Sequence, residues 1–508
     1  MRKETLDKDL DKFGKLGEAA GFLSRGLVAP GLALLFLSLS AIAAAVFAFG
    51  QPYVVIVVVA AAVAGYMALN IGANDVTNNV GPAVGARAIT MSGALLLAAV
   101  CEIAGALIAG SDVVTTISEG IVDRSSVADP DIFVRLMLAA LFSAALWIHL
   151  STWIGAPVST THSIVGAVFG AGLGAAGASA VDWSTVVSIA GGWIFAPFIG
   201  ALFAVAILFL LKTCLIYQDD KLAAAQRWVP LFIALMAGPF AAYLATKGLR
   251  QFMSVPTAQV VAIGIGVFGL SWALAAVQVR RQARNLTNHN QSLRQLFHFP
   301  LICSAALMSF AHGANDVSNA VGPLAAIVDT ILHHDVAETA PIPRWVMLIG
   351  AFGISAGLLL YGPRLIRIVG AEITRLNPMR AFAVALATAT TVIVASWLGL
   401  PVSSTHIVVG AVFGVGFFRE WYTANSTRRR AYMERRMLRR QQAREAAGIT
   451  AADQQPPARD KKAPRSEVRR RSLVRRAHVR TIAAAWFTTV PAAALLAVVT
   501  YHLIDLIW

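Results

Sequence analysis

Apolar runs recur along almost the whole chain, near 28–49, 54–71, 91–110, 133–153, 163–178, 186–211, 231–248, 256–277, 299–312, 345–361, 381–398, 406–418 and 482–507. Most approach the roughly 20 residues that a helix needs to cross a bilayer core of about 30 Å. Of 508 residues, 57% are hydrophobic and only 14% charged. A soluble chain carries nearer a quarter charged residues. The pattern predicts an all-α polytopic membrane protein with about 12 membrane segments.

The net charge of +15 suggests nucleic acid at first sight, but its distribution argues otherwise: residues 418–480 hold 19 Lys and Arg against 6 acids. A basic block beside a membrane helix reads as a cytoplasmic loop, with anionic lipid headgroups as a second contact. Arg428-Arg429-Arg430, Arg435-Arg436 and Arg439-Arg440 recur at intervals that suit a basic helix, and Gln454-Gln455-Pro456-Pro457 reads as a break. Segment 111–132 carries Asp112, Glu119, Asp123, Asp129 and Asp131 against Arg124, and is placed outside. Segments 279–297 (Arg280, Arg281, Arg284, Arg294) and 363–380 (Arg364, Arg367, Arg375, Arg380) are placed inside. Residues 1–27, too long and too acidic for the n-region of a signal peptide, read as an amphipathic cytoplasmic arm.

Within this apolar chain Gly72-Ala73-Asn74-Asp75-Val76-Thr77-Asn78-Asn79-Val80-Gly81-Pro82 returns as Gly313-Ala314-Asn315-Asp316-Val317-Ser318-Asn319-Ala320-Val321-Gly322-Pro323. Ionisable residues inside a membrane are costly to hold and are functional candidates by default. Crossing parity makes the helix leading to Asp75 run from outside to inside and the one leading to Asp316 the other way. Homologous segments of opposite direction define an inverted-topology repeat with broken helices.

A second motif is duplicated as well. Gly155-Ala156-Pro157-Val158-Ser159-Thr160-Thr161-His162 returns as Gly399-Leu400-Pro401-Val402-Ser403-Ser404-Thr405-His406. Asp75 to Ser159 spans 84 positions and Asp316 to Ser403 spans 87. Gly-Pro interrupts a helix, and the Ser/Thr run begins the next one in a re-entrant segment. Such a start offers unpaired N–H groups, the positive end of a helix dipole and rotatable hydroxyls, a site for a tetrahedral oxyanion. Asp75 and Asn78 at i,i+3, with Asn74 and Asn78 at i,i+4, share a helical face. Carboxylates opposite an anion make sense if they take a proton from it, bind a coupling cation, or are themselves protonated. Hard cations favour carboxylate, amide and carbonyl oxygens, which makes Asn74 and Asn315 the amide ligands expected of a sodium-coupled site.

Other residues are read more plainly. Glu102, in mid-segment with no basic residue near it in sequence, is a coupling-ion candidate. His162 and His406 read as anchors of their turns. Gly166, Gly170, Gly172, Gly410, Gly414 and Gly416 read as close-packing positions. His333-His334-Asp335 reads as solvated external loop. Cys101, Cys214 and Cys303 lack metal-ligand spacing and read as packing residues. Nucleophile–base pairs and phosphate-binding loops of enzymes do not appear, so an enzyme is not expected.

Gly-Ala-Asn-Asp-Val-x-Asn at 72–78 and 313–319, with Pro-Val-Ser-(Ser/Thr)-Thr-His at 157–162 and 401–406, resembles the inorganic phosphate transporter (PiT) family. The resemblance spans about 54–418 plus the last helix. Asn79 replaces a usually small residue, and Thr77 and Ser318 replace alanine. The resemblance implies a secondary symporter of phosphate with protons or sodium, alternating between two faces of the membrane. It implies a site lined by Asp75, Asn78, Ser159, Thr160, Thr161, Asp316, Asn319, Ser403, Ser404 and Thr405. The two coupling ions are nearly balanced, with a slight lean to protons. Sulfate on the same scaffold, or a transport-dead phosphate receptor signalling through the basic block, are the alternatives. Expected partners are inorganic phosphate, free or as a metal-phosphate complex, and membrane lipids, without nucleic acid. Pairing of two copies and the metal question are left open, and no cofactor is expected beyond the coupling ion. The expected setting is a bacterial-type inner membrane. The organisation follows as arm 1–27, an added helix 28–49, a first repeat 50–211, connecting helices 212–297, a second repeat 298–418, a basic segment 419–480 and a last helix 481–508.

Overall fold

The computed structural model describes residues 27–51, 53–127, 129–155, 158–248, 254–333, 342–372, 376–446 and 476–508. Most of the expected arm, the Gln454–Pro457 break, Pro157, His334, Asp335 and Arg375 lie outside the described residues. The described chain is helical: α1 (Leu27–Phe47), then α2 (Val54–Asn79), α3 (Gly81–Gly85), α4 (Met91–Ala109), α5 (Ser111–Glu119), α6 (Pro130–Trp153), α7 (Thr160–Ala176) and α8 (Trp183–Leu211). There follow α9 (Lys221–Lys247), α10 (Thr257–Ala283), α11 (Asn290–Leu296), α12 (His298–Asp316), α13 (Ser318–His333) and α14 (Arg344–Glu372). The series ends with α15 (Pro378–Trp397), α16 (Ser404–Asn425), α17 (Thr427–Ala446) and α18 (Arg476–Ile507).

Among the described residues, 10 helices are long and apolar enough to cross a membrane, or 11 if the bent run α11–α13 counts as one. The sequence reading of about 12 also counted α7 and α16, which follow the Pro-Ser-Thr breaks. Two stretches differ from expectation. Residues 111–119 form α5 rather than open loop, and 318–333 form α13, so His333 is the last residue of a helix. Serine and threonine interrupt the apolar positions of 111–119, and the apolar run within 318–333, residues 320–328, is too short to read as a span by itself. Tertiary packing of α5 on α13 supplies the burial that makes them helices.

Starts follow capping chemistry. Thr90, Asp129, Asp182, Asp220 and Asn377 each accept a backbone N–H of the turn they precede, with Pro130 and Pro378 opening α6 and α15. The Ser184 hydroxyl and the Thr185 N–H hold the Asp182 carboxyl below its ordinary range. The two ends that matter for the site are terminated alike. Gly155 (φ +74°) and Gly399 (φ +70°) follow α6 and α15 in the left-handed conformation that glycine takes without steric cost.

The two halves exchange helices. In the first half α4 packs on α12, while α14 of the second half packs on α2. Likewise α8 packs on α15 and α16, and α18 packs on α6 and α7. Glycines make each crossing possible, because backbone of the partner occupies the space a Cβ would need. Gly72 meets Ile354 and Gly313 meets Glu102, so the glycine of the Asn-Asp motif serves the same contact twice. Gly166 and Gly170 meet Val490 and Ala494 of α18, and Gly410 and Gly414 meet Pro197 and Ala201 of α8. Close approach of this kind replaces the hydrophobic drive that lipid cannot supply. The added helix α1 stays peripheral, with Phe47 stacked on Trp345 at 5.8 Å and Phe36 beside Gly65 and Gly353.

Candidate functional site

Both motifs meet where α2, α7, α12 and α16 converge, and almost all of their polar side chains are buried. Asp75, Ser159, Thr160, Thr161, Asp316, Asn319, Ser403, Ser404 and Thr405 are buried, and Asn78 is half-buried. Residues 72–79 of the first motif lie within α2, and Gly81-Pro82 open α3. The second is divided between α12 and α13, which part at Val317.

Asp75 is the centre of the arrangement. Thr160 donates to its Oδ2 at 3.0 Å and Thr405 donates to its Oδ1 at 3.0 Å. The Asn78 amide donates to Thr405 Oγ1 at 2.8 Å and lies 3.4 Å from Asp75 Oδ1. The second half answers in kind. Ser404 donates to Asp316 Oδ2 at 3.3 Å, and the Asn319 amide reaches Thr160 and Thr161 at 3.4 and 3.3 Å. Each motif therefore bonds to the Ser/Thr run of the other half as well as its own.

Ser159 and Ser403 are the N-caps of α7 and α16. Their Oγ atoms accept the His162 and His406 N–H groups at 3.1 and 3.3 Å. Their own protons remain available to donate. The N–H groups of Thr160, Thr161, Ser404 and Thr405 occupy the first helical positions, where no intrahelical acceptor exists. Two helix ends and their hydroxyls thus converge beside two carboxylates, an arrangement suited to an oxyanion and a hard cation side by side.

Asn74 and Asn315 hold the motifs to the helices that precede the breaks. Asn74 donates to Thr152 at 2.8 Å, and Asn315 donates to Ser396 at 3.0 Å and to the Leu400 carbonyl at 3.2 Å. Asn315 Oδ1 also accepts the Val402 N–H at 3.3 Å. The imidazoles of His162 and His406 pack edge to face at 4.3 Å, and His162 lies on Trp193 at 3.9 Å. The bonds of these two residues to the caps come from their backbone N–H groups.

One expectation changes. Glu102 does have a basic neighbour: His312 Nδ1 lies 3.1 Å from its Oε1, and the Asn79 amide donates to the same oxygen at 2.5 Å. The same imidazole reaches the carboxylates of both motifs, with His312 Nε2 2.8 Å from Asp316 Oδ2 and 3.7 Å from Asp75 Oδ2. Asp75, His312 and Asp316 offer ligand atoms all within 4.8 Å of one another. Sequence reasoning did not single out His312 as a site residue. The available signal was its i,i+4 spacing to Asp316, which places both on one helical face; the link to Glu102 needs the crossing of α4 and α12.

Residues 71–497 match the phosphate transporter family. A Helicobacter pylori protein bearing the name phosphate permease is 48% identical over 425 residues, covering 83% of this chain and 79% of that one. A chloroplastic inorganic phosphate transporter of Arabidopsis thaliana is 37% identical over 380 residues, covering 70% of this chain and 64% of that one. A solved structure titled as the sodium-dependent phosphate transporter superposes with a TM-score of 0.75 at 32% identity, over 89% of this chain and 100% of that one. The duplicated motifs, their convergence and a match over most of the chain carry one conclusion: this all-helical, multi-pass membrane protein belongs to the phosphate transporter family, a family of transporters and not of enzymes.

Proposed function

We propose that the protein is a cation-coupled symporter that carries inorganic phosphate into the cell across the cytoplasmic membrane by alternating access. The observation that carries this reading is the placement of Asp75 and Asp316 among the hydroxyls and helix N-termini of both halves. The helix ends and Ser/Thr hydroxyls hold the anion, while the carboxylates take up the positive charge that travels with it. Asn74 and Asn315 join each motif to its break, so that filling the carboxylates pulls on the re-entrant helices. The arginines of α17 (Thr427–Ala446) support a cytoplasmic-membrane orientation.

Each coupling ion has its own support. Around Asp75 a carboxylate, two hydroxyls and an amide offer oxygens of the type sodium prefers. The chain Asp316–His312–Glu102 instead offers a run of groups that can hold and pass a proton. Phosphate is favoured over sulfate because a protonated phosphate oxygen can donate to a buried carboxylate, whereas sulfate at neutral pH cannot.

Purified protein in liposomes is expected to take up radiolabelled phosphate with little competition from sulfate. Removing sodium at fixed pH and adding a protonophore in sodium-free buffer separate the two ions. Uptake of neither anion under any gradient overturns the transport reading in favour of a receptor.

A further inference from the structure

Away from this site, five basic side chains from five elements gather near the end of α8. There the helix widens into a π-type turn over Lys212–Ile216. Such turns are frequent at functional sites. This one buries Lys212 at 6% exposure, with Nζ 4.2 Å from the Tyr422 ring and 4.9 Å from the Phe418 ring. That Nζ has no hydrogen-bond partner in the structure.

The charges acting on Lys212 are Arg380, Arg419 and Arg429, all of its own sign. Arg294 joins them around Arg380. Arg380 lies in the first turn of α15, Arg419 near the end of α16, Arg429 at the start of α17 and Arg294 in α11. The carboxylates nearby do not balance them. Glu420 acts on Arg419, and Asp219 is met by Arg435 and Arg439 of α17 at 3.9 and 3.3 Å. Tyr217, stacked on Tyr422 at 5.9 Å, adds a phenol beside Arg429.

Two aromatic faces can attract one ammonium, but they leave its donors unsatisfied and the surrounding guanidinium groups uncompensated. A buried charge without a partner is a costly arrangement. A tetrahedral oxyanion of charge near −2 answers both needs, since its oxygens accept from Lys donors and arginine forks together. A single carboxylate would leave most of the charge in place. Arg294 and Arg380 belong to segments read as cytoplasmic, and none of these residues contributes to the site around Asp75.

We propose that Lys212, Arg380, Arg419 and Arg429 form a second anion site, on the cytoplasmic face, that takes a phosphate group. Its source is either free phosphate, on the side where transported phosphate would be delivered, or the headgroup of an anionic lipid.

The test uses the full chain in nanodiscs of phosphatidylcholine alone, counting bound radiolabelled inorganic phosphate per chain. Native mass spectrometry counts anionic lipids retained from the expression membrane. With free phosphate as the occupant, wild type binds two per chain and Lys212→Met binds one. With a headgroup as the occupant, wild type binds one phosphate but retains one anionic lipid that Lys212→Met loses. Arg419→Gln, at a half-buried position, repeats either result with at least a tenfold weaker affinity. Uptake into phosphate-free liposomes is expected to be unchanged in both variants, which establishes that they are folded. If Lys212→Met fails that control, Arg419→Gln decides. Unchanged phosphate and lipid counts in the folded variant overturn the proposal. Failure of the transport reading would look different: the phosphate sensitive to Thr405→Val would be missing, while the Lys212-dependent ligand remained.

Discussion

Thr405 illustrates how much one hydroxyl carries here. It donates to Asp75 Oδ1 and accepts from Asn78, although it belongs to the other half of the chain. Thr405→Val removes both of these hydrogen bonds and leaves Asp75 Oδ1 and the Asn78 amide only their long mutual contact of 3.4 Å, a loss of about 1–3 kcal/mol. Phosphate KM is expected to rise by at least about tenfold, with Thr405→Ser restoring it; an unchanged KM would remove Thr405 from the site. Asp75→Asn and Asp316→Asn are both expected to abolish net uptake. They should differ in stability, because His312 Nε2 is 2.8 Å from Asp316 but 3.7 Å from Asp75. Asp316→Asn is expected to be the less stable variant by about 1–3 kcal/mol, read as the larger fall in unfolding temperature. Wild-type transport by Asp316→Asn would leave one half carrying the function alone.

At the scale of elements, the crossings of α7 with α18 and of α16 with α8 hold the helices that follow the Pro-Ser-Thr breaks in place. Gly170 and Gly410 lie where backbone of the partner fills the Cβ position, whereas Gly191 of α8 has open space around it. Gly170→Ala and Gly410→Ala are therefore expected to lower the unfolding temperature, at a cost of about 1–3 kcal/mol each from overpacking. Phosphate uptake should fall with them as the breaks shift. Gly191→Ala serves as the control and should leave both measurements unchanged. Equal behaviour of all three variants would show that these crossings do not position the site.

At the scale of the whole molecule, the exchange of helices makes each half incomplete without the other. Expressed separately, residues 1–286 and 287–508 should each be degraded, whereas co-expression should restore a complex and uptake. A stable, detergent-soluble first half would contradict the exchange. Orientation is checked in a background with the native cysteines replaced. An impermeant maleimide should label Ser126→Cys in intact cells, and Thr427→Cys only after permeabilisation.

The sequence by itself determined the helical membrane class, the duplicated motifs and the residues that the structure brings together around Asp75 and Asp316. Those features are written in local composition and in spacing, and hydropathy and helix-capping rules act on just such short-range information. It also marked Gly166, Gly170, Gly410 and Gly414 as packing positions, because a small residue at helical spacing within an apolar run has few other uses. What it could not supply was partnership across the chain. Glu102 looked isolated because its basic partner, His312, is 210 positions away and arrives only when α4 crosses α12. The exchange of α8 and α18 between halves, the helices at 111–119 and 318–333, and the gathering of Arg380, Arg419 and Arg429 around Lys212 are likewise tertiary. Each depends on which helix faces meet, and that is decided by shape and buried polar pairing between distant segments rather than by any window of sequence.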